Sequence, residues 1–188
     1  MDPLLSTGFP LTLLGVTRLG KTLEEDWASP RLETTLQQYA QQTDDELLAT
    51  ATLIGALYYN MNDFPTFRSL SLLYFAAASY SEVARRLNKP ELAASFLLHD
   101  HPVFGPESRR LFDLARTPLS PTAKVLLTED IYALIRDFDV AGLSKRPAAH
   151  CYPVDAADLF AAAAKLGANA MEIESLLQRS GFYAAAQP

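Results

Sequence analysis

The stretch NDFPTFRSLSLLYFAAASYSEVARRLN, residues 62–88, decides the fold. Asn62-Asp63 stand just before Pro65, so a side-chain oxygen can take an orphan amide of a first turn in which proline costs nothing. From there Leu70, Leu73, Ala77, Tyr80, Ala84 and Leu87 recur at spacings of three and four. That rhythm lays one apolar stripe along a helix from about Pro65 to Leu87. The stripe is too short for a sustained coiled-coil seam, so it predicts packing inside a domain. Asn88 before Pro90-Glu91 then marks a stop and a new start.

The same punctuation recurs outward in both directions. Ser29-Pro30 and Ser120-Pro121 pair a capping hydroxyl with a first-turn proline, and Gly105-Pro106 and Pro153 add further starts. Thr43-Asp44-Asp45-Glu46 and Asn169-Ala170-Met171-Glu172 have the spacing of capping boxes. After the first box, Leu47, Ala51, Ile54 and Tyr58 form an apolar stripe beside a mixed one, Leu48, Thr52, Gly55 and Tyr59. So wide a face predicts a helix packed on more than one side, central in a bundle. A short apolar helix is expected from Glu91 to Leu98, stopped by Pro102, and another near 106–116. A longer one follows Ser120, with Leu127, Ile131, Leu134 and Phe138 on one face.

The prediction is therefore all-α. It is an irregular helical bundle of about seven to eight helices in a single domain over 1–188. Residues 1–28, broken by Pro3, Gly8, Pro10, Gly15 and Gly20, read as an extended N-terminal arm. Residues 29–139 form the helical core, 140–152 a loop, and 153–182 a C-terminal helical hairpin joined near Gly167.

Hydrophobic residues make up 49% of the 188 and charged residues 20%, which places the chain among globular proteins and outside the disordered regime. The net charge of −6 opposes broad phosphate contact and anionic membranes, and suits a basic partner better. A single cysteine, Cys151, allows no intramolecular disulfide, so a reducing compartment is expected. The start of the chain, with Asp2 and interrupting Gly8 and Pro10, does not read as a signal peptide, and no apolar run is long enough to span a bilayer. The expected location is the cytoplasm, with no membrane partner.

Two constellations could carry chemistry. Ala163, Leu166, Gly167, Ile173 and Leu176 have the small–glycine–branched skeleton of two closely crossing helices. This resembles the helix-turn-helix of bacterial DNA-binding proteins over about 22 residues, and the resemblance implies that Asn169 to Ser175 would face the groove. That stretch holds Glu172 and Glu174 and no Lys or Arg, so nucleic acid is not the expected partner. Leu97-Leu98-His99-Asp100 resembles the motif of HD-type metal phosphohydrolases, all-α enzymes that hold a divalent cation. The resemblance implies His99 and Asp100 as the central ligand pair, with Asp155 or Asp158 as the distant carboxylate. No histidine precedes His99, and Glu82 is the nearest stand-in for the missing first ligand. Placed at a helix C-terminus, His99 and His101 would instead serve the helix dipole.

His150-Cys151 are neighbours in sequence, which does not make a catalytic pair, and no P-loop, dinucleotide fingerprint, HExxH or di-iron motif occurs. No catalytic residue and no cofactor is expected. Tyr58, Tyr59, Phe64, Phe67, Tyr74, Phe75 and Tyr80 make a dense aromatic set. Most should be core, while Tyr58, Tyr59 and Phe64 flank the turn Asn60–Asp63 and are candidates for a partner-binding surface. The leading expectation is a bacterial, non-enzymatic protein-binding module: an adaptor, chaperone or immunity-type factor, with another protein as partner and a homo-oligomer allowed. A degenerate HD-like phosphohydrolase ranks second and a helix-turn-helix regulator third.

Overall fold

The computed structural model describes residues 5–144 and 155–182. Seven α-helices follow one another there: α1 Gly8–Asp26, α2 Leu32–Tyr59, α3 Phe64–Arg86, α4 Phe104–Ala115, α5 Pro121–Ile135, α6 Ala156–Ala161 and α7 Ala170–Arg179. Three short 3-10 turns, Pro90–Leu92, Phe96–Leu98 and Ala163–Leu166, complete the secondary structure. Helix covers 73% of the described residues and no strand occurs among them, so the chain is an irregular all-helical bundle.

The start signals act as their chemistry requires. The Asp63 carboxylate accepts from the Thr66 N–H at the head of α3, and the Ser120 hydroxyl accepts from the Ala123 N–H at the head of α5. Asn169 and Glu172 form a full capping box on α7. At Ser29-Pro30 the hydroxyl accepts from the Arg31 N–H, and α2 begins just beyond. The α3 stripe from Leu70 to Leu87 is buried throughout and forms the spine of the core. Each fully buried leucine in it, such as Leu70 or Leu73, contributes about 1.5–3 kcal/mol. Leu127 and Ile131 of α5 face it, joined by Ile135, whereas Leu134 is only half-buried. Ala163, Leu166, Ile173 and Leu176 lie in the same core, and Gly167 takes the left-handed conformation (φ 54°) that ends the preceding turn. Pro153 and Cys151 lie outside the described residues.

Four expectations are corrected. The extended arm is a helix: Pro10 falls in the first turn of α1, where its missing N–H is an orphan anyway, and Gly15 lies on the buried side, facing the Tyr39 hydroxyl of α2. The Thr43–Glu46 box is internal to one long helix, α2. Thr43 bonds back to the Tyr39 carbonyl and Glu46 is fully buried. The helix expected over Glu91–Leu98 is two separate 3-10 turns, the second with Leu97 and Leu98 at φ 54° and 57°. A left-handed backbone costs such residues roughly 1–2 kcal/mol each. The turn is held there by Leu98 in the core and by the Phe96 N–H donating to Glu46 (2.9 Å). Finally, α2 does pack on more than one side, against α1, α3 and α4, but the two stripes expected to make those contacts are not its buried face, and where they lie defines the candidate site.

Candidate functional site

Helix α2 is inverted over its second half. Its buried face carries Glu46, Thr50, Leu53, Ala56, Leu57 and Asn60. Three of these six are polar, and each has its hydrogen-bond partners. Glu46 receives both terminal nitrogens of Arg18 from α1, in a bidentate pair, as well as the Phe96 amide. Thr50 donates to the Glu46 carbonyl (2.7 Å). Asn60 donates to the Ala56 and Ala115 carbonyls, both at 2.8 Å. With that face turned inward, the stripes expected to be core look out. Leu47, Leu48, Ala51, Tyr58 and Tyr59 are exposed, and Thr52, Ile54 and Gly55 are half-buried. No charged residue interrupts α2 from Leu47 to its end.

The outer face runs on into the α2–α3 corner, where Met61 and Phe64 are exposed. Leu48 keeps 68% of its surface in water, Tyr59 52% and Phe64 69%. This corner is not a slack loop. Asn60 ties it to the end of α4, and Asp63 both caps α3 and pairs with Lys124 of α5 at 2.6 Å. The Lys124 ammonium and the capping amide hold the Asp63 carboxyl below the usual carboxylate range. Apolar side chains on a rigid frame lose little further freedom on binding. Of the aromatic set, then, Tyr58, Tyr59 and Phe64 point to solvent, Tyr74 and Tyr80 are buried, and Phe67 and Phe75 are half-buried.

Along one edge of this face α2 and α4 enclose a cleft of about 250 Å³, lined by Asp45, Leu48, Thr52, His99, Arg109 and Asp113 among others. Its α2 wall is the Leu48–Thr52 half of the mixed stripe, and further along that stripe the Arg116 side chain lies against Gly55, one turn from Tyr59. A more apolar cleft of about 400 Å³ lies between α3 and α7, but its rim groups Glu82, Arg86 and Ser180 bond one another and leave none of those three poised for a ligand.

The HD-like residues are separated by their own local roles. Asp100 and the Ser95 hydroxyl hydrogen-bond each other across the left-handed turn, Asp155 caps α6 through the Ala157 N–H, and Glu82 pairs with Arg86. His99 faces the α2–α4 cleft, with its Nδ1 buried and unpartnered. Among the described residues no three His, Cys, Asp or Glu side chains gather to hold a metal ion. In the helix-turn-helix-like hairpin, Glu172 is engaged by its capping box and by Lys89 (3.3 Å).

His101 does not serve a helix C-terminus. Its Nδ1 accepts from the Val103 and Phe104 amides, 3.2 Å each, at the head of α4. Burial lowers its pKa from 6.5, and Asp100 opposes that in part. Protonation would convert the accepting nitrogen into a donor facing two donors. Below about pH 6.5 the folded chain thus binds fewer protons than the unfolded one. Its contribution is whole above that value and is lost as pH falls through the depressed folded pKa. Urea midpoints taken from about pH 7.5 down to 5.5 should fall, and fall less in a His101→Gln variant.

Comparison with known proteins adds no second line: no family model matches the chain, and no curated protein and no solved structure matches it. No described helix is long and apolar enough to cross a membrane.

Proposed function

We propose that this chain is a non-enzymatic protein-binding module, of the adaptor, chaperone or immunity kind, which presents the outer face of α2 and the α2–α3 corner to another protein. One observation carries the reading: α2 keeps a carboxylate, a hydroxyl and an amide inside while leaving leucines and tyrosines outside. Pairing removes the cost of burying the three polar groups, but the leucines and tyrosines left in water on the other face gain little from folding. Exposed apolar surface that is contiguous, rigid and aromatic is the usual composition of an interface core. The acidic net charge suits a basic partner surface around that apolar centre.

The test is affinity against stability. Tyr59→Ala and Phe64→Ala should each weaken capture of the partner by roughly 30-fold, about 2 kcal/mol at an interface anchor. Because both side chains are half or more in water, melting temperatures should stay within about 2 °C of the parent. Losses of about 3–5 kcal/mol in folding would mark both as core and remove the proposal.

A further inference from the structure

We propose that the cleft between α2 and α4 binds a free basic α-amino acid, arginine or lysine. Asp113 holds its α-ammonium, Arg109 its carboxylate and Asp45 its side-chain cation. The cleft volume of about 250 Å³ exceeds the roughly 150 Å³ that admits benzene and falls just below the range for drug-sized ligands, so it suits one small molecule. Its three charged side chains are all unclaimed. Asp45 accepts only from the Gln41 amide, one turn back (3.0 Å). Arg109 and Asp113 stand one turn apart on α4 and form no ion pair among the described residues, whereas the neighbouring Arg110 is taken by Glu107 and Asp130. The floor of the cleft adds a donor. His99 lines it directly after Leu97 and Leu98, whose left-handed backbone is the kind of strain that persists where a side chain is held for a purpose. Its Nδ1 is closed off from water without a partner, so a proton there would be a buried donor with no acceptor. The proton therefore sits on Nε2, and the imidazole offers the cleft an N–H.

The order of the charges selects the ligand. Helices α2 and α4 end together, where Asn60 donates to the Ala115 carbonyl, so they run in one direction along the cleft. Asp45, a turn before Ala49, stands at its head. Asp113 stands at its foot, about 12 Å along α4 from Gly105, and Arg109 lies between them. The sequence acid, base, acid is the complement of cation, carboxylate, ammonium, which is the order of groups along an extended arginine or lysine. The methylene stem meets Leu48 and Phe112, and the His99 N–H is a second donor for the carboxylate. Other classes fit less well. A dicarboxylate would face two like charges, a neutral amino acid would leave Asp45 unmatched, and a diamine would set a cation against Arg109. This site is separate from the α2–α3 corner and does not depend on it.

Titration with L-arginine and L-lysine to about 10 mM, read by calorimetry and by backbone amide resonances, tests this directly. Salt at about 0.15 M screens the general attraction of cations to a chain of net charge −6. Binding should saturate, with the shifted amides confined to Asp45–Thr52 and His99–Asp113. Norleucine, which lacks the side-chain cation, and agmatine, which lacks the carboxylate, should each bind about tenfold or more weakly than arginine. Agmatine carries more positive charge than arginine, so its weaker binding separates a built site from simple attraction. Asp45→Asn, Arg109→Gln and Asp113→Asn change exposed side chains. Each should weaken arginine by about tenfold or more while circular dichroism and melting temperature stay with the parent. Asp45→Asn should leave the weak binding of norleucine unchanged, and Tyr59→Ala should bind arginine as the parent does. The absence of saturable binding by either amino acid would overturn the proposal, as would agmatine binding as tightly as arginine. Shifts centred outside the cleft, or folded Arg109→Gln and Asp113→Asn variants that bind arginine with parental affinity, would overturn it equally.

Discussion

Arg18→Ala should destabilise the chain by about 3–5 kcal/mol, a loss expected when one member of a buried ion pair is removed. The asymmetry of the pair sets this size. The Glu46 side chain is fully buried and that of Arg18 is 22% exposed. Deleting the arginine leaves a carboxylate out of water with the Phe96 amide at 2.9 Å and a long contact from Gln42 at 3.5 Å. For a chain of this size, 2–4 °C accompanies each kcal/mol, so the melting temperature should drop on the order of 10 °C. Replacing both residues with methionine should recover part of that loss, since a matched apolar pair no longer holds a stranded charge. Recovery should stay incomplete, because the Phe96 N–H then has no carboxylate to hold the left-handed Leu97-Leu98 turn. Calorimetry on the two variants checks both statements. An Arg18→Ala protein that melts with the parent would show that Glu46 finds water.

Gly105→Ala should cost about 3 kcal/mol or more, at or above the upper end of overpacking. A Cβ at this position would stand 2.1 Å from the His99 carbonyl oxygen and 2.9 Å from its carbon. Both are main-chain atoms of the strained segment and cannot rotate away as a flexible side chain would. Relief requires the head of α4 to back off, which breaks the amides of Val103 and Phe104 from His101 and opens the α2–α4 cleft. Urea unfolding measures the loss. Gly20→Ala is the control, since its Cβ meets nothing within 4 Å, and it should match or slightly exceed the parent.

Legibility in the sequence followed the range of the forces. Asp63, Ser120 and the Asn169–Glu172 box are local chemistry, settled within three or four residues, and each could be read directly. The α3 stripe was equally plain because that helix is surrounded and its period has one solution. The second half of α2 offered three stripes, two of them rich in leucine and tyrosine. The one that went inside carries Glu46, whose partners Arg18 and Phe96 sit 28 and 50 residues away, and Thr50, which bonds back to the Glu46 carbonyl. No periodicity contains that information. The same distance hid α1, whose glycines look like breakers until its buried side, Leu11, Gly15 and Thr22, packs on α2, and it hid the need for glycine at 105. Tyr58, Tyr59 and Phe64 were accessible to reasoning through the surface turn between two helix signals. Leu47 and Leu48 were not, because leucine on a helical stripe reads as core in the absence of tertiary partners.

The central claim is that the outer face of α2 is built to meet another protein and not to fold this one. Hydroxyl-radical footprinting of the chain, alone and in complex with the proposed protein partner, tests it in one measurement. Tyr58, Tyr59, Met61 and Phe64 should be oxidised readily in the free chain and protected together in the complex, while buried Tyr74 and Tyr80 stay unreactive in both. Corner residues that resist oxidation in the free chain, or that react equally with the partner bound, would contradict the account.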